Sequence, residues 1–144
     1  MSGAHYAIRL TTWRADAPAL QAVRRAVFID EQRVPENLEW DAADARCVHA
    51  LAEDDDARAI GCARLLPDGH IGRVAVLAAW RGRGVGATLL LRLIDVARAH
   101  GHLRVMLNAQ LHAMAFYARY GFVAEGAPFD EAGIAHQVMA RVLR

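Results

Sequence analysis

Cysteine is scarce: Cys47 and Cys62 are the only two in 144 residues, and they form no CxxC pair. Two thiols cannot build a disulfide scaffold, so both are expected buried in strands in a reducing compartment, the cytoplasm. No apolar run approaches the roughly 20 residues that cross a bilayer, and no membrane association is expected. The opening MSGAHYAIRL has no basic segment followed by an apolar one, so no secretory signal is expected. The seven histidines include no HExxH or other ligand spacing, so no metal is expected. A net charge of +1 gives no global pull toward nucleic acid or an anionic surface, and any basic site has to be local. Repeats, low-complexity tracts and Pro/Ser-rich linkers are absent. What is present, 55% hydrophobic and 23% charged residues, is the make-up of one folded domain over 1–144.

The apolar periodicity orders the chain as β-α-loop-β-β-β-α-β-α-β-β. HYAIRLTTW reads as an opening strand. APALQAVRRAVFIDEQ reads as a helix capped by Asp16, with Leu20, Val23, Val27 and Phe28 as its apolar stripe. RVPENLEWDAADA reads as an acidic loop. CVHALAE and AIGCARLL form a hairpin over the solvated tip DDDAR, and HIGRVAVLAAW, after the turn PDG, is a central strand. A four-turn helix follows, with Leu89, Leu90, Leu93, Ile94 and Ala97 on one face and Gly101 as its left-handed stop. LRVMLNAQ is a strand, LHAMAFYARY a short helix, and FVAEG and AHQVMARVL are closing strands. One β-α-β unit with antiparallel flanks predicts an α/β fold, a mixed and mostly antiparallel sheet with helices on both faces.

Between the third strand and the long helix stands WRGRGVG, Trp80 to Gly86. Glycines let backbone approach a ligand, a helix N-terminus presents unpaired N–H groups, and Arg81 and Arg83 add positive charge. Together they suit a pyrophosphate held on Arg81–Ala87. A nucleoside-triphosphate site requires GxxxxGK[ST], and the loop has no lysine. A dinucleotide site requires GxGxxG and an acid about 20 residues on, after the next strand, and LRVMLNAQ supplies none. Coenzyme A and a purely structural tight turn remain.

The stretch RVAVLAAWRGRGVGATLLLRLIDVARAHG resembles the acetyl-CoA-binding core of the GNAT (GCN5-related) N-acetyltransferase superfamily, whose pattern is [Q/R]-x-x-G-x-[G/A]. Arg81, Gly82, Arg83, Gly84, Val85 and Gly86 match it, with an extra glycine at the second place. AMAFYARYGF, Ala113 to Phe122, resembles the family's second recurrent segment, A-x-x-FY-x-x-x-GF, in the family's order and at its usual distance. VFIDEQRVPENLEWDAAD and FDEAGIAHQVM are most similar to the small bacterial ElaA/YjcF-type branch.

The resemblance implies a splayed pair of parallel strands with pantetheine in the gap. The backbone of Val74, Ala75 and Val76 would contact pantetheine and the thioester carbonyl. Backbone donors from Arg81 to Ala87 (Gly82, Arg83, Gly84, Val85 and Gly86 between them) would hold the pyrophosphate. Asn108 would bond pantetheine or fix the splay, and Phe116 would line the channel. The implied reaction moves an acetyl group from acetyl-CoA, the acyl-donor substrate, to a primary amine of a small molecule or peptide. An alkylamine with a pKa of about 10 first loses a proton, the carbonyl oxygen gains charge next to a strand N–H, and the departing thiolate is protonated. Tyr117 stands at the family's general-acid position, with Tyr120 as the alternative. Without the resemblance, the residue reads more readily as an amphipathic core tyrosine beside Phe116 and Tyr120.

The base is not legible in the sequence. Glu31, Glu36, Glu39, Asp41, His49 and His112 are all candidates, and Trp40 and His136 could border the acceptor pocket. DEQRVPENLEWD and FDEAGIAHQ are acidic on balance, which would attract a cationic amine. Two other readings compete. One is a non-catalytic CoA-binding module. The other is an acyltransferase resembling acyl-homoserine-lactone synthases, which the tidy glycine loop disfavours. Homodimers are common in the family, and nothing in the sequence selects one.

Overall fold

Helix α1 (Trp13–Arg24) starts one residue after strand β1 (Tyr6–Thr11) because Thr12 is extended and its hydroxyl accepts the Ala15 N–H. This computed structural model describes residues 5–144. The cap expected of Asp16 is not made. Asp16 lies inside the helix at a non-helical φ of −134°, its carboxylate held by Arg9 at 2.8 Å and by the Thr11 hydroxyl. A charged partner outcompetes a backbone amide for its oxygens. Leu20, Val23, Val27 and Phe28 are buried as the stripe predicts. Past Arg24 the helix widens into a π-helical turn, Arg25–Glu31, where Gln32 N–H reaches back to the Val27 carbonyl. A short helix α2 (Glu36–Glu39) and a 3₁₀ turn (Ala42–Arg46) fill the loop before the next strand.

Strands β2 (Val48–Asp54), β3 (Ala59–Leu65) and β4 (Ile71–Val76) extend β1 into an antiparallel sheet of order β1-β2-β3-β4. Strands β5 (Arg104–Gln110), β6 (Val123–Glu131) and β7 (Ile134–Val142) make a second, of order β5-β7-β6. The two meet where β4 and β5 run parallel, bridged at His70 and Met106, with Met106 N–H donating to Gly69. Beyond that bridge no ladder joins the strands among the described residues. This is the splay implied by the resemblance.

Alternation sorts the first sheet between two cores. Ala50, Ala52 and Ala63 join helix α3 (Val85–Ala99) through its Leu89, Leu90, Leu93, Ile94 and Ala97. Leu51, Cys62 and Ala75 face α1. Helix α4 is only Met114–Ala118, shorter than its sequence segment, because Leu111–Ala113 forms a 3₁₀ turn.

One polar assembly lies within this frame. All seventeen basic side chains of the protein are arginines. Three of them, Arg24, Arg64 and Arg73, bind Glu39, Asp41 and Asp44. Arg24 donates to Glu39 and Asp44, both at 2.7 Å, and to the Glu39 carbonyl at 3.1 Å. Arg64 grips Asp41 with both terminal nitrogens and reaches Asp44 at 2.9 Å. Arg24 also lies between the rings of Trp13 and Trp40, at 5.5 and 5.2 Å from their centroids. Planar five-donor forks suit this bidentate, multi-partner geometry better than ammonium groups. Arg24 and Glu39 are 1% and 3% exposed, so removing one charge strands another in the interior. Arg24→Met is therefore expected to lower unfolding free energy by about 3–5 kcal/mol, read from chemical denaturation. A loss below about 1 kcal/mol would mean that Arg64 and Arg73 alone satisfy both carboxylates.

Candidate active site

The gap between β4 and β5 opens into a cleft of about 900 Å³. Its first wall is β4. One residue of β3, Ala63, lies opposite two of β4, Arg73 and Val74, which is a β-bulge. Arg73 adopts φ +51°, unusual for a side-chain-bearing residue. Its guanidinium is tied to Glu39, at 3.1 Å from both the carboxylate and the main-chain carbonyl, and to Asp41 at 3.5 Å. Leu77 N–H donates to Ile60 on β3. The alternation of an antiparallel ladder then turns Ala75 toward Cys62, and Val74 and Val76 toward the gap. The backbone of Val74 and Val76 thus forms an open strand edge.

That edge leads to the first turn of α3. Gly84, at φ +84°, precedes the helix, and the first intrahelical amide bond of the turn runs from Thr88 to Gly84. The amides ahead of Thr88 have no intrahelical acceptor, and the positive end of the helix dipole points out there. Gly86 faces the cleft beside Phe116 and Val76. A Cβ on it would stand 3.7 Å from each, so the helix start, β4 and α4 converge there.

Val74, Ala75, Val76, Arg81, Gly86, Asn108, Phe116 and Tyr117 all line the cleft. Gly82, Arg83, Gly84, Val85 and Ala87 do not. Val85 is buried in the core, so only its backbone could serve a ligand. The Arg81 side chain is already engaged. It grips Glu31 through two bonds of 2.7 Å and donates to the Val76 carbonyl at 3.0 Å. Arg83 stacks on Trp80 at 4.8 Å. Tyr117 packs edge-on to Phe116 and Phe122. Its hydroxyl meets no hydrogen-bond partner among the described residues, and burial pushes the phenol up to about 12. It stays protonated throughout the physiological range. Tyr120 packs on Phe116 and does not line the cleft.

The base candidates separate cleanly. Glu36 pairs with Arg25 and Trp40 outside the cleft. His49 is buried between Trp13 and the Asp44 carbonyl, and burial lowers its affinity for a proton. Trp40 is the platform under Arg24 and Arg25 rather than a cleft wall. Glu31, Glu39, Asp41 and His112 do line the cleft. The acidic rim read from the first loop is compensated, because Glu31, Glu39 and Asp41 each hold an arginine. Among the described residues four acids line the cleft, and of these only Glu131 holds no arginine. Glu131 was not singled out from the sequence, although the turn Ala132-Gly133 that presents it was there to read. His136 also lines the cleft, and is 7% exposed. Both cysteines are free and buried, with Cys62 pushed up to about 12 by burial. Among the described residues no cluster of three His, Cys, Asp or Glu could hold a metal ion, and no helix is long and apolar enough to cross a membrane.

A strand edge left open beside a neighbouring strand, running into a glycine-led helix N-terminus, is an arrangement suited to an extended, phosphate-bearing ligand. The comparisons agree. The family described as "Acetyltransferase (GNAT) domain" matches residues 15–143, and the chain belongs to it. It is an acyltransferase of the GNAT fold. It is 34% identical to Protein ElaA of Escherichia coli over 85% of each chain. It is 33% identical to the uncharacterized N-acetyltransferase YjcF of Bacillus subtilis over 83% of this chain and 87% of that one. The crystal structure of an acyl-CoA N-acyltransferase from Pseudomonas aeruginosa matches at TM-score 0.84 and 33% identity, covering 96% of this chain and 100% of that one. The crystal structure of ElaA matches at 0.84 and 30%, covering 95% and 99%.

Hydrogen bonding to Arg64 holds the Asp41 carboxyl down at about 2, from an ordinary 3.8. A carboxylate whose folded pKa is depressed contributes stability above its unfolded value, and that stability is lost as pH falls toward the folded one. The stability difference between wild type and Asp41→Asn, from urea titrations at a series of pH values, is therefore expected to be full above about pH 4 and to vanish toward about pH 2. A pH-independent difference would show that the Arg64 pairing does not set the Asp41 ionisation.

Proposed function

We propose that the protein transfers an acetyl group from acetyl-CoA to a primary amine of a small molecule or peptide by direct attack on the thioester. The observation that carries this reading is the open Val74–Val76 edge running into the α3 N-terminus. It rests as well on membership in a family whose enzymes use acetyl-CoA. Pantetheine lies along β4, the amides of Arg81–Ala87 hold the pyrophosphate, Asn108 and Phe116 border the channel, and Tyr117 donates a proton to the departing sulfur. The residues fit the donor. Val74 and Val76 offer strand-edge groups, Gly86 and Phe116 leave a narrow passage, and the half-buried Tyr117 phenol retains its proton at neutral pH.

Calorimetric titration with acetyl-CoA, against ATP and NAD, tests the donor. Micromolar affinity with silent controls is expected, and no heat with acetyl-CoA would refute the reading. Aspartate tolerates a left-handed φ and caps helices, so Gly84→Asp should fold. A Cβ there would stand 3.6 Å from the Tyr6 hydroxyl, and a negative charge added at the α3 N-terminus opposes a bound pyrophosphate, so acetyl-CoA affinity should fall by about 1–4 kcal/mol. Tyr117→Phe should lower turnover by about 10²-fold or more with near-normal acetyl-CoA affinity. Unchanged turnover removes Tyr117 from the acid role.

A further inference from the structure

We infer that His136 is the base that takes a proton from the acceptor ammonium, and that Glu131 draws that ammonium in and offsets the imidazolium formed. The assignment rests on the acetyl-transfer reading above and names the acceptor half of the same cleft.

Three observations converge on this pair. The first is electrostatic. Glu31, Glu39 and Asp41 are each neutralised by arginine, which leaves Glu131 as the uncompensated lining carboxylate. Among the described residues the Glu131 carboxylate meets only the Asn108 amide at 3.4 Å and His136 Nε2 at 3.7 Å. A cation entering the cleft has its strongest attraction there. The second is the tautomer. His136 Nδ1 is 2.7 Å from the Ile134 carbonyl oxygen. A carbonyl only accepts, so Nδ1 carries the hydrogen, and the neutral ring keeps its lone pair on Nε2, the nitrogen turned to Glu131. The third is rigidity. Phe129 stacks on the imidazole with centroids 6.0 Å apart and planes 25° apart. Ala132 and Gly133, both at positive φ, close the β6–β7 hairpin and set Glu131 opposite Ile134. His112, the lining histidine after β5, is exposed and has no such anchoring.

The proton count closes. An alkylammonium R–NH3⁺ gives one proton to Nε2, which frees the nitrogen lone pair. The R–NH2 so formed makes the C–N bond at the thioester carbonyl as the C–S bond breaks. The sulfur takes a proton from the Tyr117 hydroxyl. The second amine proton restores Tyr117, and the His136 proton leaves to solvent. The products are amide, free thiol and one proton.

The test compares two probe amines with acetyl-CoA. n-Butylamine is a cation near neutral pH and needs a base, whereas hydroxylamine is already neutral. His136→Gln should lower n-butylamine transfer on the order of 10²-fold, while hydroxylamine transfer falls far less and acetyl-CoA affinity holds. Glu131→Gln should raise the KM for n-butylamine. Nitrogen-15 NMR of the wild-type imidazoles should find His136 as the Nδ1–H tautomer. Equal losses for both amines, or an Nε2–H tautomer, would overturn the assignment while leaving the donor reading intact. Failure of the wild type to bind acetyl-CoA would bring down both.

Discussion

The architecture turns on one pairing that stops early. β4 and β5 are parallel neighbours bridged at His70 and Met106, and then they part. Two adjacent strand edges without partners would ordinarily be a liability, since each exposes a row of unpaired amides and carbonyls. Here the opening is held by what packs around it. Helix α3 seats Val85, Leu89 and Leu93 in the core beneath β3 and β4, while β5 is committed along its whole length to β7. Each strand keeps one edge in its own sheet and turns the other to the gap. Even the Arg81 guanidinium, on the Val76 carbonyl, supplies a donor that the missing strand would have supplied.

The arginine–carboxylate assembly holds the other wall. It joins α1, the loop after it, β3 and β4, and it ends at Arg73, the residue whose positive φ forms the β4 bulge. A left-handed backbone at arginine costs roughly 1–2 kcal/mol, and its guanidinium contacts to Glu39 and Asp41 offset that cost. Buried ion pairs contribute little net stability over apolar packing of the same shape. What this one supplies is geometry, because each carboxylate is fixed from two directions.

The elements were legible where a single periodicity governs them. The stripes Leu20–Phe28 and Leu89–Ala97 and the glycine-led start of α3 follow from helical spacing and left-handed φ. Long-range partners were not legible. Arg24 lies on the buried face of α1, yet an arginine in a helix reads as solvent-facing until its carboxylates, 15 and 20 positions away, are known. For the same reason the loop acids looked like a free rim. The π-widening at Arg25–Glu31 leaves the apolar pattern intact and so has no sequence signature. Glu131 and His136 share a cleft wall through hairpin register, which alternation alone leaves undetermined.

The charge distribution that results divides the cleft by sign. At one end are the α3 amides and dipole, suited to a polyanion. Elsewhere along it the arginines cancel three carboxylates and leave the fourth, Glu131, beside His136. Had the loop acids been free, a cationic acceptor would have several equivalent anchoring points and no defined distance to the thioester. With three of them compensated, the attraction converges on one carboxylate next to a ring of fixed tautomer. On the proposed reading, the selectivity of this wall comes as much from the charges the arginines remove as from the one they leave.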